Sequence, residues 1–236
     1  MRISGKHIVV TGAASPLGAA LVHRFAREGA RAVVAADFDL AGARAVAAAA
    51  GPVVTAHRFD AGHESEVLAL INGAVRRNGD IDVYCANPGL AGPPGGAEVG
   101  DDIWDTLWRA HVLSPVWAAR ELVPRMRLTG GYLVLAASAA GLLTQPSALV
   151  HTVVQHAAVA LAEWLNLNHA KDNLHVSCVC PASPADPGLI AEAVVAGMAD
   201  ERLLILPHPE VQDHLMRRAS DHETWLNHIR DLVGTA

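Results

Sequence analysis

The chain has 236 residues, of which 51% are hydrophobic and only 4% aromatic, and it carries a formal charge of −6. A chain of this length and make-up can bury a sizeable core built mainly from Ala, Val and Leu. No Lys/Arg cluster points to nucleic acid or an anionic membrane, and no apolar stretch has transmembrane length.

The amino-terminal segment MRISGKHIVV runs directly into a strand-like stretch, without the layout of a signal peptide. KHIVVTG is the first predicted strand and PLGAALVHRFAREGA the first helix. RAVVAAD and LAGARAVAAAAG follow as strand and helix, then PVVTAHRFD and SEVLALINGAVRRNG. IDVYCAN is the fourth strand. DDIWDTLWRAHVLSPVWAARELVPRM reads as a long helix, kinked or restarted near Pro115. GGYLVLAAS is the fifth strand, followed by a helix beginning at HTVVQ. LHVSCVCP is the sixth strand and, after another helix, RLLILPH the seventh. Short, fully apolar strands alternating with helices predict an α/β fold: one Rossmann-type, doubly wound parallel sheet of about seven strands with helices on both faces. Residues 1–236 are expected to form a single domain of dinucleotide-binding type, with the catalytic and substrate region at about 86–200. Cys85, Cys178 and Cys180 match neither a disulfide framework nor a zinc knuckle. Cys178 and Cys180 should lie on one side of a strand as buried thiols, and a reducing, cytoplasmic setting is expected.

Ligands of such sheets bind at the carboxyl ends of the strands, and chemistry-bearing residues collect there. TGAASPLG, residues 11–18, opens a helix whose N-terminus suits a pyrophosphate. Gly12 supplies the tight turn and Gly18 the close helix–sheet approach. Asp37 closes the second strand, where a carboxylate can accept from both ribose hydroxyls. Asp60 closes the third strand and Asn87 the fourth. No Arg or Lys follows Asp37 in sequence, which favours NAD over NADP.

Together these segments resemble the short-chain dehydrogenase/reductase family. TGAASPLG is similar to its TGxxxGxG turn, ANPG (86–89) to its NNAG motif, GGYLVLAASAAG to the strand bearing its catalytic serine, and CVCPASP to the segment covering the nicotinamide. The resemblance implies cofactor contacts from Gly12, Ser15, Leu17, Gly18, Asp37, Asp60, Ala61, Asn87, Gly89, Gln155 and Pro181. The catalytic serine maps onto Ser138. The family's Asn falls at His111, and its YxxxK motif at HTVVQ, with His151 for Tyr and Gln155 for Lys. Pro16, Pro88 and Ala182 also depart from the family pattern. Pro16 lacks an N–H but sits where a helix tolerates proline.

The paired changes are chemically consistent with each other. A tyrosine of pKa near 10 needs a cation to ionise at neutral pH, whereas a histidine near 6.5 does not. His151 is then the expected acid/base, Ser138 the holder of substrate oxygen, His111 a proton relay and Gln155 a ribose contact. The resulting activity is NAD(H)-linked oxidoreduction of a carbonyl/alcohol pair. Two alternatives remain open: a non-redox lyase, isomerase or cyclase using the same residues, and a non-catalytic subunit that binds a partner dehydrogenase. Three histidines can bind zinc, but His151 and His156 point apart on a helix, and no metal is expected. His7, His57, His63 and His169 read as surface residues near element ends. Substrate walls are expected from residues 90–96, 142–149 and 183–189, with Leu142, Leu143, Gln145 and Leu149 facing a small, neutral, apolar ligand. Trp104, Trp108, Trp117 and Trp164 on the long helices suggest packing in a homodimer or homotetramer.

Overall fold

All seven apolar runs are strands of one parallel sheet in a computed structural model that describes residues 1–183 and 185–234. The strands are β1 (His7–Thr11), β2 (Ala32–Asp37), β3 (Val54–Arg58), β4 (Val83–Ala86), β5 (Gly131–Ala136), β6 (Leu174–Val179) and β7 (Leu204–Ile205). Their order is β3-β2-β1-β4-β5-β6-β7. The chain winds outward from β1 to β3, then restarts at β4 on the other side. The crevice between the carboxyl ends of β1 and β4 is therefore the switch point, where open α/β sheets take ligands.

Alternation along each strand feeds two cores. Ile8 and Val10 face one side with Tyr132, Val134 and Val179. Val9, Leu133, Val176 and Cys178 face the other. Helices α1 (Pro16–Arg27), α2 (Leu40–Ala50) and α7 (Pro187–Ala199) cover the first face. The second is covered by α3 (Glu64–Asn78), α5 (Ser114–Thr129), α6 (Leu149–Asn168) and α8 (Pro209–Ser220). The stripe on α1 is Gly18, Leu21, Val22 and Phe25, the spacing of one helical face. Each fully buried Leu or Phe there contributes about 1.5–3 kcal/mol, which holds the amino end of α1 against β1.

The predicted long helix is broken. α4 (Asp101–Trp108) passes through a π turn, Arg109–Leu113, into α5, with Pro115 in the first turn of α5. The extra residue in the π turn rotates position 111 inward, and His111 is buried. A pair of helices follows β7, α8 and then α9 (His222–Gly234), which the sequence reading did not anticipate. They anchor to the body through the Arg218 guanidinium, which donates to the Leu142 carbonyl and lies 5.4 Å from the Trp225 ring centre.

Three expectations are corrected. His7 is fully buried: its Nδ1 contacts the Gly79 and Asp80 carbonyls at 2.9 and 3.1 Å, and it completes the carboxyl end of α3. Trp117 is a core residue, while Trp104 packs around Leu107, Val150 and Val154. Trp108 and Trp164 are exposed, Trp164 the more so, beside an apolar groove between α5 and α6. The three cysteines are buried free thiols, with the sulfurs of Cys178 and Cys180 3.8 Å apart. No helix among the described residues is long and apolar enough to cross a membrane.

Candidate active site

The turn after β1 is built by contact rather than by flexibility. Gly12 has φ +58°, and a Cβ there would lie 2.0 Å from the Asn87 carbonyl oxygen. A Cβ on Gly18 would lie 2.0 Å from the Gly12 oxygen. Asn87 staples the turn from β4: its Nδ2 donates to the Gly12 carbonyl and to Ser15 Oγ, both at 3.1 Å, while its backbone N–H donates to Thr11 Oγ1 at 2.9 Å. Ser15 caps α1, accepting from Gly18 N–H at 3.1 Å and donating to the Gly12 carbonyl at 2.7 Å.

Most N–H groups of this turn are therefore already used. Ala13 donates to the Ala36 carbonyl, Ala14 to Asp37 Oδ2 and Ser15 to the Gly12 carbonyl. Pro16 has none to give. None of the described hydrogen bonds uses Leu17 N–H, so it is the first-turn donor left for an anion, reinforced by the positive end of α1.

Asp37 ends β2 with its carboxylate fixed from two sides, by Ala14 N–H at 2.8 Å and Asp39 N–H at 2.9 Å. Directly across the ladder is Arg58, whose guanidinium lies 4.7 Å from the Phe38 ring centre. The sequence reading missed this cation. It could have been found by pairing the last residues of β2 and β3. Asp60 accepts from Gly62 N–H at 2.9 Å and holds the loop after β3. A cavity of about 730 Å³ opens here, lined by Gly12, Phe38, Phe59, Asp60, Ala61 and, opposite, Asp102, Thr106 and Arg109.

Pro88 and Leu90 also line a second cavity of about 500 Å³ toward β5 and β6. Its walls include Ser15, Leu17, Asn87, Gly89, His111, Ser138, Gln145, His151, Gln155 and Pro181. The two cavities adjoin at Pro88 and Leu90, near the carboxyl edge of the sheet. No Asp, Glu, Lys or Arg lines the second cavity among the described residues. Leu142 and Leu143, expected there, instead pack into the sheet core, because Ala139–Gly141 forms a 3₁₀ turn that carries the chain inward. Leu149 is part-exposed at the start of α6 and does not line the cavity either. Ser183 and Ala185 do line it; Pro184 of the same expected wall lies outside the described residues.

Ser138 follows β5 as the cap of that 3₁₀ turn and accepts from Ala140 N–H at 3.2 Å. A strap, residues 88–96, crosses above α6 and is pinned by Gly95 N–H to the Ser147 carbonyl and Leu149 N–H to the Gly95 carbonyl, both 2.9 Å. It covers His151, since a Cβ on Gly92 would sit 3.1 Å from His151 Cβ. His151 is left half-buried with Nδ1 enclosed and unpartnered, and burial lowers its pKa below 6.5. Its Nε2 is the ring nitrogen left accessible within the cavity.

His111 and Gln155 meet beneath this point, with Gln155 Nε2 3.2 Å from His111 Nδ1 and His111 Nε2 2.9 Å from the Leu90 carbonyl. Both His111 nitrogens are thus engaged, and burial lowers its pKa to about 4. The relay expected of His111 does not fit this arrangement, since its proton is committed to a backbone carbonyl. His156 points elsewhere, its Nδ1 donating to the Thr152 carbonyl at 2.9 Å. Among the described residues no group of three His, Cys, Asp or Glu is placed to hold a metal ion. A further contact was invisible in the sequence: His208, at the start of α8, accepts from Ala182 N–H at 3.1 Å and fixes the loop after β6.

An open parallel sheet with a glycine turn at its switch point defines the class of dinucleotide-binding folds. The sequence pattern of the short chain dehydrogenase family matches residues 6–187, and the chain belongs to that family. It is 36% identical over 211 residues to 1-deoxy-11-beta-hydroxypentalenate dehydrogenase of Streptomyces avermitilis, covering 84% of this chain and 76% of that one. It is 35% identical over 199 residues to sex determination protein tasselseed-2 of Zea mays, covering 80% of this chain but only 58% of that protein. A short chain dehydrogenase/reductase of Burkholderia phymatum in complex with NAD superposes with a TM-score of 0.87 at 24% identity, over 95% of this chain and 96% of that one. A metagenomic short-chain oxidoreductase in complex with NADP gives 0.77 at 28% identity, over 87% and 98%. Solved structures of this fold thus hold either nucleotide.

Proposed function

We propose that the protein is an NAD(H)-linked oxidoreductase that interconverts an alcohol and its ketone, with His151 exchanging the proton at the substrate oxygen. The observation that carries this reading is the placement of Ser138 and His151 in one cavity that runs on to the glycine turn. The nucleotide, when bound, supplies or accepts the hydride. The Gly12 turn fits such a group, since two close approaches there leave no room for a side chain. Leu17 N–H and the α1 terminus would hold the pyrophosphate and Asp37 the ribose. The fixed Asp37 carboxylate repels a 2′-phosphate, and Arg58 is stacked on Phe38, which supports NAD over NADP.

The resemblance of HTVVQ to the family's YxxxK motif supports giving His151 the tyrosine's role. The depressed pKa of His151 keeps the ring neutral at pH 7, ready to accept the alcohol proton at Nε2. The partnerless Nδ1 does nothing to stabilise the imidazolium, so the ring gives the proton back through Nε2, to solvent entering the cavity after alcohol oxidation or to the carbonyl oxygen in the reverse direction. Ser138 holds the substrate oxygen. Uncharged walls suit a small or medium-sized neutral, apolar alcohol. His151→Ala is expected to lower nicotinamide-linked turnover by about 10²-fold or more while NADH affinity survives. Unchanged turnover sinks the assignment, and turnover without any change in nicotinamide absorbance replaces redox chemistry with proton-transfer chemistry.

A further inference from the structure

We infer that α8 is a brace for the nicotinamide end of the site: His208 and Arg218, near its two ends, are positioning residues that hold the loops after β6 and β5 in one fixed relation. Both side chains lie outside residues 6–187, the segment that matches the family pattern. The register of the sheet sets up the first contact. β6 and β7 run side by side with Val179 paired to Ile205, and Cys180 N–H donates to the Ile205 carbonyl at 3.0 Å. Three residues beyond each member of that pair stand Ala182 and His208. His208 occupies the residue before α8, where a side chain commonly caps its own helix, but it makes no such bond. Its Nδ1 accepts from Ala182 N–H at 3.1 Å instead. Pro209 keeps the His208 backbone extended, with φ −114° and ψ 114°, which narrows where the ring can stand. Among the described residues, Ala182 is the last backbone donor of this loop with a partner before Asp186 caps α7. Ser183 and Ala185 line the cavity without a described hydrogen bond, so the loop takes its position from His208.

Arg218 holds the other loop. The 3₁₀ turn Ala139–Gly141 begins at Ser138 and ends at Leu142, and the Arg218 guanidinium donates to the Leu142 carbonyl, an acceptor the end of the turn leaves over. The same nitrogen, Nη1, stands 3.5 Å from His156 Nε2 on α6, and the Trp225 ring of α9 backs the guanidinium at 5.4 Å. Ala139 N–H donates to the Pro181 carbonyl at 2.9 Å, so the two loops are also joined at their roots. One helix therefore fixes the far end of the turn that carries Ser138 and the residue that follows Pro181. Neither His208 nor Arg218 lines either cavity, so both act through the loops. On the nucleotide reading of the previous section, on which this ligand assignment rests, the cavity at Ser138 and His151 receives the nicotinamide, and the adenosine lies beside Asp60, away from both loops.

The test compares His208→Leu, which removes the acceptor, His208→Asn, whose Oδ1 replaces Nδ1 as acceptor, and Arg218→Leu. In the free protein, the Ala182 amide hydrogen should exchange about 10-fold or more faster in His208→Leu and close to the wild-type rate in His208→Asn. Arg218→Leu should speed the same amide several-fold, although Arg218 does not touch it, because one helix carries both contacts. Affinity then separates positioning from a general loss of stability. NADH should bind His208→Leu about 5- to 10-fold more weakly, while ADP-ribose, which lacks the nicotinamide, stays within about 2-fold of wild type. His208→Asn should restore NADH binding. An Ala182 amide that stays protected in either leucine variant, unchanged NADH binding in His208→Leu, or equal weakening of NADH and ADP-ribose would overturn the inference. If the wild type binds neither ligand, the nucleotide reading and the ligand assignment fall together. The Ala182 exchange then still decides whether α8 braces the loop, because it is read without ligand.

Discussion

Gly18→Ala places a methyl group where the structure has no space for one. The residue is helical, so alanine meets no backbone conformational penalty and would, in an open site, stabilise the helix by about 0.5–1 kcal/mol. Here the Cβ would lie 2.0 Å from the Gly12 oxygen and 2.8 Å from Ala13 Cα. An ordinary closest C···O contact is about 3.3 Å, so the amino end of α1 must withdraw by roughly 1.3 Å. Overpacking of this kind costs about 1–3 kcal/mol, leaving a net loss of up to about 2.5 kcal/mol and a fall of a few degrees in Tm. The same shift moves Leu17 N–H and the helix terminus off the pyrophosphate position. A lost hydrogen bond to a charged group, about 1.5–3 kcal/mol, weakens NADH by about 10- to 100-fold. Gly73→Ala in α3 is the control, since the nearest atom to its Cβ is the end of the Arg76 side chain at 4.0 Å, and it should stabilise without touching affinity. Thermal unfolding and NADH titration of both variants make the comparison. If Gly18→Ala behaves like Gly73→Ala, the close-approach account of the turn is wrong.

Pro16→Ala restores an N–H in the first turn of α1, and the expected result is tighter NADH binding by up to about 10-fold with a slightly lower Tm; unchanged affinity would show that this N–H does not reach the pyrophosphate. Acid stability follows from the buried histidines. His7, His111 and His151 all have pKa values lowered by burial, so the unfolded chain binds protons first. Stability is therefore full above pH 6.5 and declines as pH falls toward about 4, the value for His111. His111 alone accounts for about 2 kcal/mol lost by pH 5. Urea unfolding at pH 7.5 and 5.0 should show this loss, and His111→Phe should flatten the dependence; an equal slope in the variant contradicts the buried neutral ring.

The sheet was readable because strands buried on both faces appear as short apolar runs, and β2 and β5 are built mostly from Val, Ala and Leu. The helix pair α8–α9 escaped notice because its core contribution rests on isolated residues, Val211 and Trp225, amid charged neighbours. The glycine turn, Asp37, Asn87 and Ser138 were legible from their places after strands. His7 was not, because its partners are carbonyls 72 and 73 residues away. Nor was the His111–Gln155 contact, which joins residues 44 apart and depends on a π turn that side-chain periodicity does not announce.

The most direct test of the account is a calorimetric titration of the protein with NADH and, separately, NADPH. The geometry around Asp37 predicts micromolar NADH binding and NADPH binding weaker by about 10²-fold, in keeping with a phosphate set against a fixed carboxylate. Equal or tighter NADPH binding would contradict the role given to Asp37, and no binding of either nucleotide would contradict the proposed function itself.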